Sequence, residues 1–288
     1  MTFLQTAGLG AIAGLTIFIG LPLGRVQGIS SRVRLSLAMF SVGVLAFLFV
    51  DVMGQGFGIV ETSVEAVRDD HGQLGKAVLY VFLLGGGFLI GSAGLGWLDA
   101  RMRSKAKPPL APIAGGEAAA TLSPSETSAY VDEAELARKK TLRTGLMIAT
   151  AIGIHNLGEG LAIGVSARSG ALSLATVLVV GFALHNATEG FGIVGPLGNV
   201  RPTWRWLGLA GLIAGSPTLL GAIIGWNIQL EGLEVACYAL AGGAILYVIG
   251  EIWHAMRRLG HRELGLLMLA VGFMVGVLTD LVVVYGSA

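Results

Sequence analysis

Apolar positions along this chain fall into long blocks rather than the alternating or one-sided patterns of strands and surface helices. Eight blocks stand out, at about 3–24, 35–60, 77–98, 144–166, 172–197, 206–228, 234–256 and 264–286. Each reaches the about 20 residues that a helix needs to cross a hydrocarbon layer of about 30 Å. A helix satisfies its own backbone hydrogen bonds, which lipid cannot do, so each block is predicted to be a membrane-spanning helix. The predicted fold is an all-α integral membrane protein, a single domain over 1–288 with eight transmembrane helices.

The polar residues between the blocks set the expected orientation. An even number of spans puts both termini on one side. All of the 19 Lys and Arg except Arg68, Lys76 and Arg168 lie in the connections after spans one, three, five and seven. Basic connections stay in the cytoplasm, so the long stretch 99–143 is expected to be a cytoplasmic loop and both termini extracytoplasmic. Within that loop, Lys105 to Ser125 is rich in Pro, Ala and Gly without an apolar period and is expected to be partly disordered. Asp132 to Arg143 is predicted to form a short helix with Glu135 and Lys139 at the favourable four-residue spacing. The first span has no basic residue before it, unlike a signal peptide, and is expected to be retained. Trp97, Trp204, Trp206, Trp226 and Trp253 fall near predicted span ends, where amphipathic rings prefer to lie.

Composition excludes several classes. With 54% hydrophobic and 13% charged residues and a mean hydropathy of +0.76, the chain is unlike a soluble globular domain. The 45 glycines suit membrane helices that approach closely. A net charge of +1 gives no ground for a nucleic-acid partner. The lone Cys237 rules out an internal disulfide framework or a cysteine metal cluster. The Gly75-Lys76 pair is followed by Ala77 and lacks the spacing of a phosphate-binding loop, so no nucleotide cofactor is expected.

The candidate chemistry lies at membrane depth. No Lys or Arg falls inside a predicted span, yet Asp51, Glu159, Glu189 and Asp280 do, with Glu251 a turn or two from the inner end of span seven. Each such group costs about 2.5 to 3.5 kcal/mol at a helix centre. Without basic partners these carboxylates must be protonated, hydrated or bound to a cation. Two of them belong to a repeated phrase, HNLGEG at His155 to Gly160 and HNATEG at His185 to Gly190. The copies are 30 residues apart, one span plus a turn, so they sit on neighbouring antiparallel helices. His and Glu four residues apart share a helix face. An imidazole and a carboxylate from each helix make a four-ligand set for a divalent transition metal: His155, Glu159, His185 and Glu189, with neutral oxygens from Asn156 and Asn186 beside them. Asp51, Glu251 and Asp280 are candidate pathway residues; for each, a structural hydrogen bond or ion pair is the competing reading. His254 and His261 read as solvated, and the Asp69, Asp70, His71 cluster as a charged loop.

These residues resemble the ZIP family, the Zrt- and Irt-like carriers of divalent transition metals, in its prokaryotic form. The likeness rests on eight spans, a long loop after span three, the two HNxxEG phrases, and Glu251, the Arg258-Leu259-Gly260-His261 connection and Asp280 near the end. It implies transport into the cytoplasm across the cell (inner) membrane, with spans four and five lining the site and one helix group moving against another. A homodimer is suggested by the resemblance alone. Three departures are visible. Gly158 and Thr188 replace a proline common before the motif Glu. Asn186 and Thr218 stand where some relatives hold a second metal with carboxylates, so one transported metal is expected. The loop lacks the usual histidine clusters. Borderline-soft nitrogen ligands favour Zn(II), then Fe(II), Mn(II), Co(II) or Ni(II), over Ca(II) and Mg(II), as substrate rather than prosthetic group.

A membrane enzyme is the main rival. The hydrolase phrase HExxH is absent, because Asn156 and Asn186 follow each His. Diiron chemistry needs more core His and Glu than the chain supplies. A metal-sensing receptor is opposed by the small connections, which offer no signalling domain.

Overall fold

The computed structural model describes residues 1–26, 28–69, 72–103, 124–170 and 172–287. Most of the expected linker, and Asp70 and His71 of the charged cluster, lie outside the described residues. The described secondary structure is helical throughout, in the order α1 (Phe3–Leu15), α2 (Ser31–Arg68), α3 (Leu74–Leu89), α4 (Pro124–Arg168), α5 (Leu172–Val194), α6 (Trp204–Asn227), α7 (Glu231–Met256) and α8 (Arg262–Ser287). All of these except α5, or the longer helical runs containing them, are long and apolar enough to cross a membrane by length and composition. Helix α5, 23 residues long, completes the bundle.

Local sequence sets where the helices begin and bend. Thr2 caps α1 in a reciprocal box with Gln5, and Ser30 and Thr203 accept from Val33 and Trp206 to start α2 and α6. The first span is interrupted: α1 stops before Thr16, whose hydroxyl donates to the Ala13 carbonyl, and the chain continues as Ile17–Gly20 and a tighter turn, Leu21–Arg25. Helix α3 passes through a π turn at Ile90–Gly94 before ending in Leu95–Arg103. The expected short helix before span four is instead continuous with it, so α4 runs 45 residues. Its Glu135 and Lys139 pair at 2.7 Å.

Packing divides the bundle into two groups. Helices α1, α4, α5 and α6 lie together, as do α2, α3, α7 and α8; α4 and α5 also touch the second group. Within the first group α1 and α6 meet at Gly14 and Gly215, where each glycine faces the other's carbonyl and a Cβ would collide. Lipid gives no hydrophobic drive for helix association, so close backbone contact supplies the cohesion. Among the candidate spans the one containing the first motif is the most enclosed, while those of α3 and α8 bury the smallest share of their residues. Basic side chains stack on rings at helix ends: Arg25 on Trp204, Arg101 on Trp97 and Arg168 on Trp226.

Candidate metal centre

Each of the four letters shared by the two phrases has a physical task in the fold. His155 and Glu159 leave one face of α4, and His185 and Glu189 one face of α5; all four are buried. Glu159 is the hub. Its Oε1 lies 3.0 Å from His155 Nε2 and 2.5 Å from His185 Nε2, and Glu189 Oε1 lies 3.6 Å from His155 Nε2. One donor atom each from His155, Glu159 and His185 falls within 4.8 Å of the others.

The asparagines hold the helices that carry these groups. Asn156 Nδ2 donates to the Ala214 carbonyl of α6 at 3.0 Å, and Asn186 Nδ2 to the Ala13 carbonyl of α1 at 3.1 Å. The final glycines allow the same neighbours to come near: a Cβ on Gly160 would strike the Thr218 carbonyl of α6, and one on Gly190 the Ile17 carbonyl after α1. Both motif helices are thus clamped from behind, one by amide and glycine onto α6 and the other onto the first span. Sequence reasoning treated Asn156 and Asn186 as oxygen donors and gave the two motif glycines no role beyond the close helix approach expected of all the glycines. Recurrence of Asn and Gly in both copies was the signal available.

The polar atoms fit a cation. Glu159 Oε2, both oxygens of Glu189, and the Oδ1 atoms of Asn156 and Asn186 are buried without a hydrogen-bond partner. The ion pairs of Glu159 and Glu189 among the described residues involve only His155 and His185. Unpartnered carboxylate oxygens in a dry site are costly, and a divalent ion bridging them removes that cost. Zinc bonds of about 2.0–2.2 Å hold neighbouring tetrahedral donors roughly 3.4 Å apart. Glu159 therefore needs to separate from His155 and from His185 by less than about 1 Å to admit the ion.

A cavity of about 290 Å³ leads to the cluster from one side. It is lined by Asp51, Asp280, Phe182 and His185, toward the end of the bundle where α4 finishes and α5 begins. Gln55 donates to Asp51 at 3.1 Å. Gln55, Thr279 and Tyr238 also line the cavity; sequence reasoning passed over them because neutral polar groups are common in membrane helices. On the opposite side Ile148 and Ile152 of α4, Ile193 of α5 and Ile245 and Ile252 of α7 close the core and are at most 1% exposed. Ser41 of α2 donates to the Thr188 carbonyl at 2.7 Å, fastening α5 on that side. Glu251 is half-buried and lines neither the cavity nor the cluster. His254 and His261 are exposed. Thr218 is buried where α1 and α4 cross α6, between Gly14 and Gly160, and its hydroxyl has no partner.

Comparison with known proteins identifies the family. The profile of the family described as ZIP Zinc transporter matches residues 117–279, more than half of the chain, including both motif helices. The chain belongs to the ZIP family. It is also similar to two proteins named zinc transporter ZupT. That of Clostridium perfringens is 31% identical over 148 residues, covering 50% of this chain and 52% of the relative. That of Streptococcus mutans is 28% identical over 169 residues, covering 53% of this chain and 64% of the relative. The chain thus spans between about half and two thirds of these relatives' length. ZIP membership places the chain in a family described by transport rather than by an enzymatic reaction.

Proposed function

We propose that this protein carries divalent transition metal ions, zinc foremost, into the cytoplasm across the cell membrane (the inner membrane where there are two). The observation that carries this reading is the buried His155, Glu159, His185, Glu189 cluster with unpartnered carboxylate oxygens. Its two carboxylates neutralise a 2+ charge, and its two imidazoles favour borderline ions over calcium and magnesium. The name of the two ZupT relatives supports zinc among these ions.

In the proposed path, ions gather beside Asp51 and Asp280, whose negative charge raises their local concentration. They then pass to His185 and Glu159, at the cavity's inner end, and to His155 and Glu189 behind them. The basic connections lie at the isoleucine-sealed end of the bundle, so the cavity opens outside and both termini are extracytoplasmic. Release requires the isoleucine seal to part, and Glu251 stands on the exit side. The clamped group of α1, α4, α5 and α6 is suited to move as a unit against α2, α3, α7 and α8, which exposes the ion to each side in turn. One ion is held per chain, because Asn186 and Thr218 supply no second negative charge. Two copies of the chain associate in the membrane, a reading that rests on the family likeness.

The test is metal influx into sealed liposomes containing purified protein, followed with an enclosed metal-sensitive dye. Saturable zinc influx, with little magnesium or calcium influx, is expected. Protein that binds zinc but moves none of zinc, iron, manganese, cobalt or nickel contradicts the proposal.

A further inference from the structure

At the end of the bundle that carries the basic connections, a second pocket of about 430 Å³ opens between α2, α7 and α8, away from the metal route. Its two halves differ in chemistry. Buried Leu35, Met39 and Met256 form the floor, with Trp253 and Leu266 exposed at the edge. Arg257, His261 and Arg262 form the rim. Among the described residues no carboxylate is part of the lining; Glu263 follows Arg262 but stays exposed outside it.

The rim cations differ from others at the same end of the molecule. Arg25 donates to the Pro202 carbonyl at 2.5 Å and covers Trp204, and Arg34 donates to Asn199 at 3.1 Å. Among the described residues Arg257 and Arg262 take part in no ion pair or side-chain hydrogen bond. The turn between α7 and α8 brings them together: Gly260 and His261 both have positive φ, 72° and 54°, and Arg262 opens α8 directly afterwards. An anion there is also favoured by the free N–H groups of the 26-residue α8. The floor exists because residue 265 is glycine. A Cβ at Gly265 would rest 3.5 Å from Met39 Cγ and 3.8 Å from Leu35 Cδ1, so a longer side chain fills the space.

We propose that this pocket binds an anionic phospholipid, with its phosphate between Arg257 and Arg262 and one acyl chain over Leu35, Met39 and Trp253. A soluble anion would use the rim but not the apolar floor. A zwitterionic lipid would set its ammonium group against two arginines. Unpartnered cations above an apolar floor at a membrane boundary match a negatively charged headgroup and its chain together. The lipid so held bridges α2, α7 and α8, all in the group opposite the one that carries the metal cluster.

The test uses the full-length protein, purified in detergent and stripped of lipid. Native mass spectrometry measures phosphatidylglycerol and phosphatidylcholine of identical chains, and thermal unfolding is followed with each lipid and with inorganic phosphate. Phosphatidylglycerol is expected to bind roughly tenfold or more tightly than phosphatidylcholine, as two arginines near a headgroup imply. Arg257→Gln with Arg262→Gln should bring the two lipids to parity. Arg201→Gln with Arg205→Gln, a basic pair outside the pocket, should leave the preference intact. Gly265→Leu should abolish retention of phosphatidylglycerol without altering any charge, and it decides the matter by itself if the double arginine variant does not fold. Parity in the wild type, a preference that survives both pocket variants, or equal stabilisation by inorganic phosphate would overturn the proposal.

Discussion

Alanine at Gly160 sets two effects of opposite sign against each other. In a helix interior, alanine is favoured over glycine by about 0.5–1 kcal/mol. At Gly160 the added Cβ meets the Thr218 carbonyl, and the Ala222 nitrogen also lies within van der Waals distance, so α4 and α6 must separate. Overpacking of this kind costs about 1–3 kcal/mol, which exceeds the helix gain. The same change at Gly158, two residues away on α4, meets Ala241 Cβ at 3.4 Å, the Cys237 carbonyl at 3.8 Å and Tyr238 Cδ1 at 3.9 Å, all ordinary contacts. Gly158→Ala should therefore be neutral or slightly stabilising. Gly160→Ala should lose about 1–2 kcal/mol, a fall of several degrees in the melting temperature for a chain of this size. Zinc affinity should fall with it. Separation of α4 from α6 moves Glu159 relative to His185, and loss of a contact that orients metal ligands costs about 10–100-fold in affinity, so a loss of roughly tenfold is expected. Thermal unfolding in detergent and calorimetric zinc titration of the two variants decide the question. Gly160→Ala protein that melts as high as Gly158→Ala and binds zinc as the wild type does would refute the idea that the glycine contact with α6 positions the site.

Elemental analysis of zinc-loaded protein should find one tightly held equivalent per chain; two equivalents, one of them lost in Asn186→Ala, would contradict the single-ion reading. Asp51→Asn, at the cavity mouth, should raise the zinc concentration for half-maximal influx several-fold and leave the saturated rate nearly unchanged. A change confined to the saturated rate would place Asp51 elsewhere in the cycle. Protons compete with metal for the same His and Glu, so influx should fall as the outer pH is lowered. A rise on acidification would indicate proton-driven transport instead. A cysteine at exposed Ser128, on the stretch of α4 before the membrane, should resist an impermeant reagent applied to intact cells, and its labelling from outside would reverse the orientation.

The bundle was legible because lipid imposes one rule on every span: about 20 apolar residues in a self-satisfied helix. Deviations inside the spans were not legible. The break at Thr16 depends on a hydroxyl turning back to Ala13, and the π turn at Ile90–Gly94 changes no apolar pattern. The polar first turns of α4 suggest two pieces, but polarity alone does not end a helix, and the structure has one. At the site, a four-residue offset was enough to place His155 with Glu159 and His185 with Glu189 on common faces. Which helix stood behind each motif was not available from spacing, so the clamps made by Asn156, Gly160, Asn186 and Gly190 went unread. Asp51 and Asp280 were recognised as costly carboxylates, but their meeting in one cavity with His185 depends on how α2, α5 and α8 cross.

The most direct test of the metal route compares zinc influx into sealed proteoliposomes for the wild type, Glu159→Gln and His185→Ala at equal protein content. The account predicts saturable influx in the wild type and its loss in both variants, with each variant still folded by size-exclusion chromatography. Influx that persists in both at the wild-type rate would place the ion's path somewhere other than between α4 and α5.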